Sequence, residues 1–364
     1  MLSNPFDKNN IILSNYLFLE SVQNSNSNLR WAPLKVANRS RSKIPPALVL
    51  FLLSPAVAEL LSGSAPPLEF FNPLGFVILA SLYGSGAILA RELTLRWRNG
   101  CLSLFLLGAA YGVMEEGLMA KSFFDPSWPD LGVLGVFGRW MGINWVWAEM
   151  LIIYHAVFSI VIPVLLVELA YPSQRKERWV GSRGLGGFAI LLVGVVFLGY
   201  FAMTPYRPPL PQYFSAVTLA IFFIFLAWKV PSEDGRQGSA NSRGPASFFA
   251  TGLLGTIGFF IVFWVLPNLL SPPGVMLLGG FLVVGFTRFL KRLKLKGCND
   301  LHQFALTSGG LAFFIFLAPL QELDKTRTDN PWGMGLVGLA FLVGLLLLGW
   351  RIKQRTRITH IHPS

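Results

Sequence analysis

The sequence predicts an all-α protein, a polytopic bundle of about ten transmembrane helices. Three observations predict it. Of 364 residues, 53% are hydrophobic and 13% are charged, whereas a soluble domain carries about 25% charged residues. The mean hydropathy is +0.55. Apolar runs recur along the chain, and many approach the ~20 residues that cross a bilayer as a helix.

Taken in order, the predicted spans are Ile44–Leu61, Pro73–Ala90, Leu102–Ala120, Asn144–Leu169, Leu185–Met203, Tyr213–Trp228, Phe248–Leu270, Gly274–Leu290, Gln303–Leu320 and Gly333–Trp350. Pro55, Pro163 and Pro319 lie inside the first, fourth and ninth spans and predict kinks, because proline removes a helix N–H. Gly84/Gly86, Gly252/Gly255/Gly258 and Gly279/Gly280 are small residues that let helices approach closely. Arg91 and Glu92, at the inner end of the second span, are expected as an ion pair near the headgroups. Between the third and fourth spans, Lys121–Gly142 is too short and too punctuated to cross. It predicts an aromatic, proline-bearing loop that dips back over a site.

With the N-terminus inside, 25 of the 30 Lys and Arg residues fall on the inner side, and only Lys121, Arg139, Arg207, Lys325 and Arg327 fall outside. This satisfies the positive-inside rule in every loop pair and supports the span count as well. Segments 1–43 and 351–364 are then basic cytoplasmic tails around a transmembrane domain at 44–350. No charged n-region followed by an apolar h-region and cleavage site is visible, so no signal peptide is expected. The expected location is the cell membrane, with both termini cytoplasmic. Trp97, Trp228 and Trp350 mark inner edges, and Trp128, Trp140, Trp145, Trp147 and Trp332 outer ones, as an interfacial belt.

The net charge of +12 resides in these short loops and tails, not on a folded polar face, so nucleic acid is not an expected partner; the lipid bilayer is. Cys101 and Cys298 predict neither a disulfide framework nor a zinc site. The chain holds no P-loop, His-Glu-x-x-His or Gly-x-Ser-x-Gly element, and no particular cofactor is implied.

The functional signal is Glu115-Glu116, two adjacent carboxylates in the outer third of the third span. Carboxylates persist in a bilayer only where they face a polar interior, a partner or water. At 100° per residue they point to adjacent faces, above Gly108, Ala109 and Gly112, which leave room for a cavity or a close neighbouring helix. On the fourth span Asn144 and His155 lie within about 20° of one face and roughly 16 Å apart in depth. Glu149, about 120° from His155, reads as interfacial. Glu59, Glu69, Asp125, Asp130, Gln321 and Glu322 also gather on the outer side. Together Glu115, Glu116, Asn144 and His155 predict an intramembrane pocket. Paired carboxylates resist joint ionisation, so one can act as general base on water while His155 and Asn144 steady an oxyanion. The same groups could hold a metal or relay a proton.

Glu115-Glu116 followed by His155 on the next span resembles the CPBP family, the CAAX-protease and bacteriocin-processing (Abi) intramembrane proteases. Their pattern is Glu-Glu-x-x-x-Arg, then Phe-x-x-x-His, then His-x-x-x-Asn or a small polar residue. The likeness covers roughly residues 100–170. Ala120 stands at the Arg position, with Lys121 one residue later. Leu151 or Ser159 flanks His155, depending on which later motif it serves. The resemblance implies a glutamate-activated water that attacks a peptide bond within the membrane. Two alternatives stand beside this hydrolase: a proton- or cation-coupled transporter of a small solute or lipid, and a non-catalytic membrane scaffold.

Overall fold

The computed structural model describes residues 44–231, 244–294 and 299–361; the tail expected at 1–43, and Cys298, lie outside them. Among the described residues, ten principal helices follow the predicted spans. They are α1 (Pro46–Leu61), α2 (Pro73–Trp97), α3 (Cys101–Met119), α4 (Trp145–Ala170), α5 (Ser182–Ala202), α6 (Leu210–Lys229), α7 (Pro245–Asn268), α8 (Pro272–Lys294), α9 (Asp300–Leu323) and α10 (Met334–Ile361). All but α1 are long and apolar enough to cross a membrane. α1 is about 24 Å long at 1.5 Å per residue. The tail expected from residue 351 continues α10 as helix to Ile361.

Local chemistry sets the helix ends. Asn72 accepts from Leu74 N and Gly75 N at the start of α2, and Asn299 forms a capping box with His302 at the start of α9, which satisfies amides that a helix N-terminus leaves open. α2 ends at Arg98 in the left-handed region, and Lys121 takes the same conformation just beyond α3. The Lys121 ammonium is buried and donates to the carbonyls of Tyr200 and Thr204, which caps the end of α5.

The core is organised around α4. One apolar cluster takes Ile160, Val164 and Val167 from it, a second Val146, Trp147 and Ile153, and a third Phe158, Ile162 and Leu166. In its most apolar stretch α4 is 67% buried, whereas α8 is 11% buried. Close approaches pin the centre. A Cβ on Gly108 would lie 2.8 Å from Ala156 Cα, and one on Gly112 would lie 3.1 Å from His155 Cβ. α3 therefore packs on α4 through its glycines, the small-residue contact that membrane helices favour.

Arg91 and Glu92 form the expected ion pair at 2.7 Å, enclosed within the protein at 2% and 0% exposure. Glu92 accepts from Arg91, from Arg96 and from Trp179 N, while Arg91 also donates to the carbonyls of Arg175 and Glu177. The pair binds the α4–α5 connection to α2. A buried charge requires such partners.

Five of the ten helices described widen locally into π turns: α1 at Ala56–Leu61, α2 at Ala80–Gly84, α3 at Val113–Met119, α4 at His155–Val161 and α7 at Ile261–Val265. Pro55 immediately precedes the first, and Pro163 closely follows the fourth. Isolated π turns in α-helices recur at functional sites.

Candidate functional site

The four π turns on α1 to α4 present Glu59, Tyr83, Glu115 with Glu116, and His155 with Ser159. In α3 the turn closes with Ala120 N donating to Glu115 O at 2.8 Å, a bond spanning five residues. This wider winding turns less per residue than the 100° assumed from sequence. Both glutamates consequently reach the same imidazole.

His155 is buried. Its Nε2 lies 3.1 Å from Glu116 Oε1 in a hydrogen bond, and its Nδ1 pairs with Ser159 Oγ at 3.0 Å. Glu115 Oε2 lies 3.1 Å from the same Nδ1 without hydrogen-bond alignment, and it has no other partner. The second oxygen of Glu116 accepts from Ser122 Oγ, which in turn accepts from Trp147 Nε1 at 3.1 Å. Three tyrosine rings surround the imidazole, Tyr154 at 5.3 Å, Tyr83 at 6.1 Å and Tyr111 at 6.2 Å between centroids. Tyr83 donates to Glu59, and Tyr154 donates to Ala58 O at 2.8 Å. The Tyr111 hydroxyl is buried within reach of the Glu115 carboxyl, and no well-aligned hydrogen bond to it forms among the described residues.

The structure thus brings Glu115, Glu116 and His155 together and leaves Asn144 out. Asn144 accepts from Trp147 N at 3.1 Å and donates to Leu134 O at 2.6 Å. Its oxygen caps α4 and one of its N–H groups holds the preceding loop, which fixes its amide in that structural role. The loop itself folds back as expected: Phe123, Phe124, Leu131 and Leu134 are buried, and a two-residue hairpin pairs Arg139–Trp140 with Ile143–Asn144. Trp147, expected in the outer belt, is instead buried beside the carboxylates and holds Ser122. Sequence reasoning missed Tyr83, Ser122 and Trp147 as neighbours of the cluster.

One carboxylate oxygen from each glutamate and one imidazole nitrogen lie within 4.8 Å of one another. That set of donors suits a divalent cation. Without one, two carboxyl groups share a single imidazole, so protons must be distributed among them.

These features define a polytopic helical membrane protein with a buried carboxylate–imidazole cluster. Residues 48–272 match an uncharacterized membrane protein family, and the chain belongs to that family. The matched region includes every residue of the cluster. The chain is also 28% identical over 199 residues to a protein of Archaeoglobus fulgidus described as uncharacterized, an alignment covering 51% of this chain and 59% of that protein. No solved structure matches. No match to the CPBP family was found, and that likeness rests on the motif residues alone.

Proposed function

We propose that the chain is a CPBP-like intramembrane hydrolase acting on a peptide bond, with Glu115 as general base, His155 and Glu116 as its orienting pair, and Tyr111 as hydroxyl donor. One observation carries the reading: Glu115 Oε2 and Tyr111 Oη, two buried polar atoms without a well-aligned hydrogen bond among the described residues, lie beside an imidazole already held by Glu116. A general base needs an open lone pair and a fixed orientation. An oxyanion needs a positioned donor. Glu115 takes a proton from water, the hydroxide adds to the carbonyl carbon, and Tyr111 donates to the oxyanion. Collapse of the intermediate breaks the C–N bond, and the Glu115 carboxylic acid returns the proton to the leaving amine. His155, bound to Glu116, keeps the positive charge that balances the site. The charge distribution of the loops supports a site that opens on the outer side, with both termini cytoplasmic.

The test is reconstitution of the full chain in liposomes with a panel of single-span peptides, with products read by mass spectrometry. Cleavage that is lost in Glu115→Gln supports the reading. Cleavage that persists in that variant, or the absence of any product across the panel, refutes it.

A second reading is favoured by the closeness of the three ligand atoms: Glu115, Glu116 and His155 hold a cation, for Lewis-acid chemistry or for ion-coupled transport. Stoichiometric divalent metal in the purified chain, lost in His155→Ala, would support it. Gradient-dependent solute flux in proteoliposomes would mark the transporter.

A further inference from the structure

We propose that the cleft beneath α8 binds a single-chain membrane amphiphile with a protonated amine head, and that Glu149 is its headgroup ligand. Glu149 lies on α4, away from the imidazole cluster, and it belongs to no network described above. Its Oε2 is buried without a hydrogen-bond partner among the described residues. A carboxyl group left unpaired within a bilayer is costly, so an isolated one against a cavity is a binding group in need of a ligand.

The cavity is there. A void of about 490 Å³ between α3, α4, α6 and α8 is lined by Glu149 together with Ala148, Ile152, Ala216, Leu219 and Gly280, and its walls are otherwise almost wholly apolar. α8 makes the space with two glycines. A Cβ on Gly279 would lie 2.8 Å from Glu149 Oε1, whereas one on Gly280 would meet nothing within 4 Å. The first glycine admits the carboxylate, and the second leaves the void open. A second apolar cavity of about 220 Å³ lies deeper, lined by residues that include Val157, Leu165 and Phe286. The two share Phe105, Ile153 and Val283, so they are successive parts of one cleft along α4.

Depth selects the occupant. Glu149 is four residues into α4, about 6 Å below its end, the level at which a bilayer amphiphile carries its head. From Glu149 to Leu165 the cleft follows α4 for roughly 24 Å, at least the ~15 Å of hydrocarbon in one leaflet. An ammonium would give Glu149 a charge-assisted hydrogen bond, and a hydrocarbon tail would fill the cleft. A free fatty acid would place like charge against Glu149, and an alcohol would leave the carboxylate without a counter-charge.

The test is equilibrium displacement of a fluorescent alkylamine from the detergent-purified full chain by hexadecylamine, hexadecanol and hexadecanoate. The expected result is that hexadecylamine binds about tenfold tighter than hexadecanol, as a charge-assisted contact requires. Glu149→Gln should abolish that preference while alcohol binding persists, and Gly280→Phe, which fills the void, should weaken both. Equal binding of amine and alcohol by the wild type overturns the proposal. So does an amine preference that survives Glu149→Gln, or one that is lost instead in Glu116→Gln, which would place the amine at the imidazole cluster. If Glu149→Gln does not fold, Gly280→Phe decides: undiminished amine binding there also overturns it.

Discussion

Ser54 Oγ on α1 donates to Ser159 O on α4 at 2.6 Å, and that carbonyl is free to accept because Pro163, four residues on, has no N–H. The same hydroxyl lies 3.2 Å from Tyr83 O on α2. One serine on α1 thus meets the backbones of two of the π turns, those of α2 and α4. A proline that breaks a helix bond here supplies the acceptor that locks α1 to α4.

This relationship predicts a thermodynamic coupling. Ser54→Ala leaves a buried carbonyl unsatisfied and should cost about 1–3 kcal/mol. In a Pro163→Ala background the N–H restored at position 163 can satisfy Ser159 O, so the same change should cost under about 1 kcal/mol. Unfolding of the four proteins in detergent completes the cycle. Equal costs in both backgrounds would show that the carbonyl does not depend on Ser54.

The carboxylate–imidazole cluster should carry function at the expense of stability. Glu115→Gln, Glu116→Gln and His155→Ala are expected to melt at or above the wild type, while Glu115→Gln lowers peptide cleavage at least about a hundredfold. Thermal unfolding in detergent, run beside the cleavage assay, checks both halves. If all three variants melt well below the wild type, the cluster is structural.

The α3–α4 contact should tolerate no added bulk. Gly108→Leu drives a side chain against the Ala156 backbone and should destabilise the chain by about 1–3 kcal/mol, and it should separate Glu116 from His155. Gly194→Leu on α5 is the control, since a Cβ there meets nothing within 4 Å. It should leave the melting temperature nearly unchanged.

The Arg91–Glu92 pair should be among the most sensitive positions in the fold. Arg91→Met removes one of three partners from a carboxylate with 0% exposure, leaving Arg96 and Trp179 N, and should cost about 1–3 kcal/mol. Asp300→Asn, which removes a half-exposed partner of Arg175, should cost under about 1 kcal/mol. Comparable losses in the two variants would contradict the burial argument.

The connection between α9 and α10 should loosen in acid. The Arg327 guanidinium beside Asp329 holds its carboxyl below the ordinary value of 3.8, and Arg327 also donates to Gly63 O at 2.7 Å. A carboxyl whose folded pKa is lowered stabilises the fold fully above its unfolded value, and that contribution is lost as pH falls through the folded one. Amide exchange across residues 324–333, corrected for the intrinsic rate, should therefore rise below about pH 4. Asp329→Asn should already exchange at the faster rate at neutral pH.

The sequence by itself determined where the long apolar helices lie, because apolar length and interrupting charge act locally and are written residue by residue. It also marked Glu115, Glu116 and His155, since ionisable groups stand out in an apolar run. The geometry that joins them was decided by the tertiary structure. A 100° rotation per residue places the two glutamates on different faces; the π turn in α3 brings both to one imidazole. Asn144 has the right chemistry and lies on the expected stripe, but Leu134 O and Trp147 N fix its amide in a structural role. Glu59, Tyr83, Tyr111 and Ser122 join the cluster through contacts between separate helices and a folded-back loop. Arg91 and Glu92 are enclosed by a connection more than 80 residues further along the chain. Hydrogen bonds between distant segments, and the glycine contacts that allow them, depend on how helices pack against one another, which no local pattern of residues encodes.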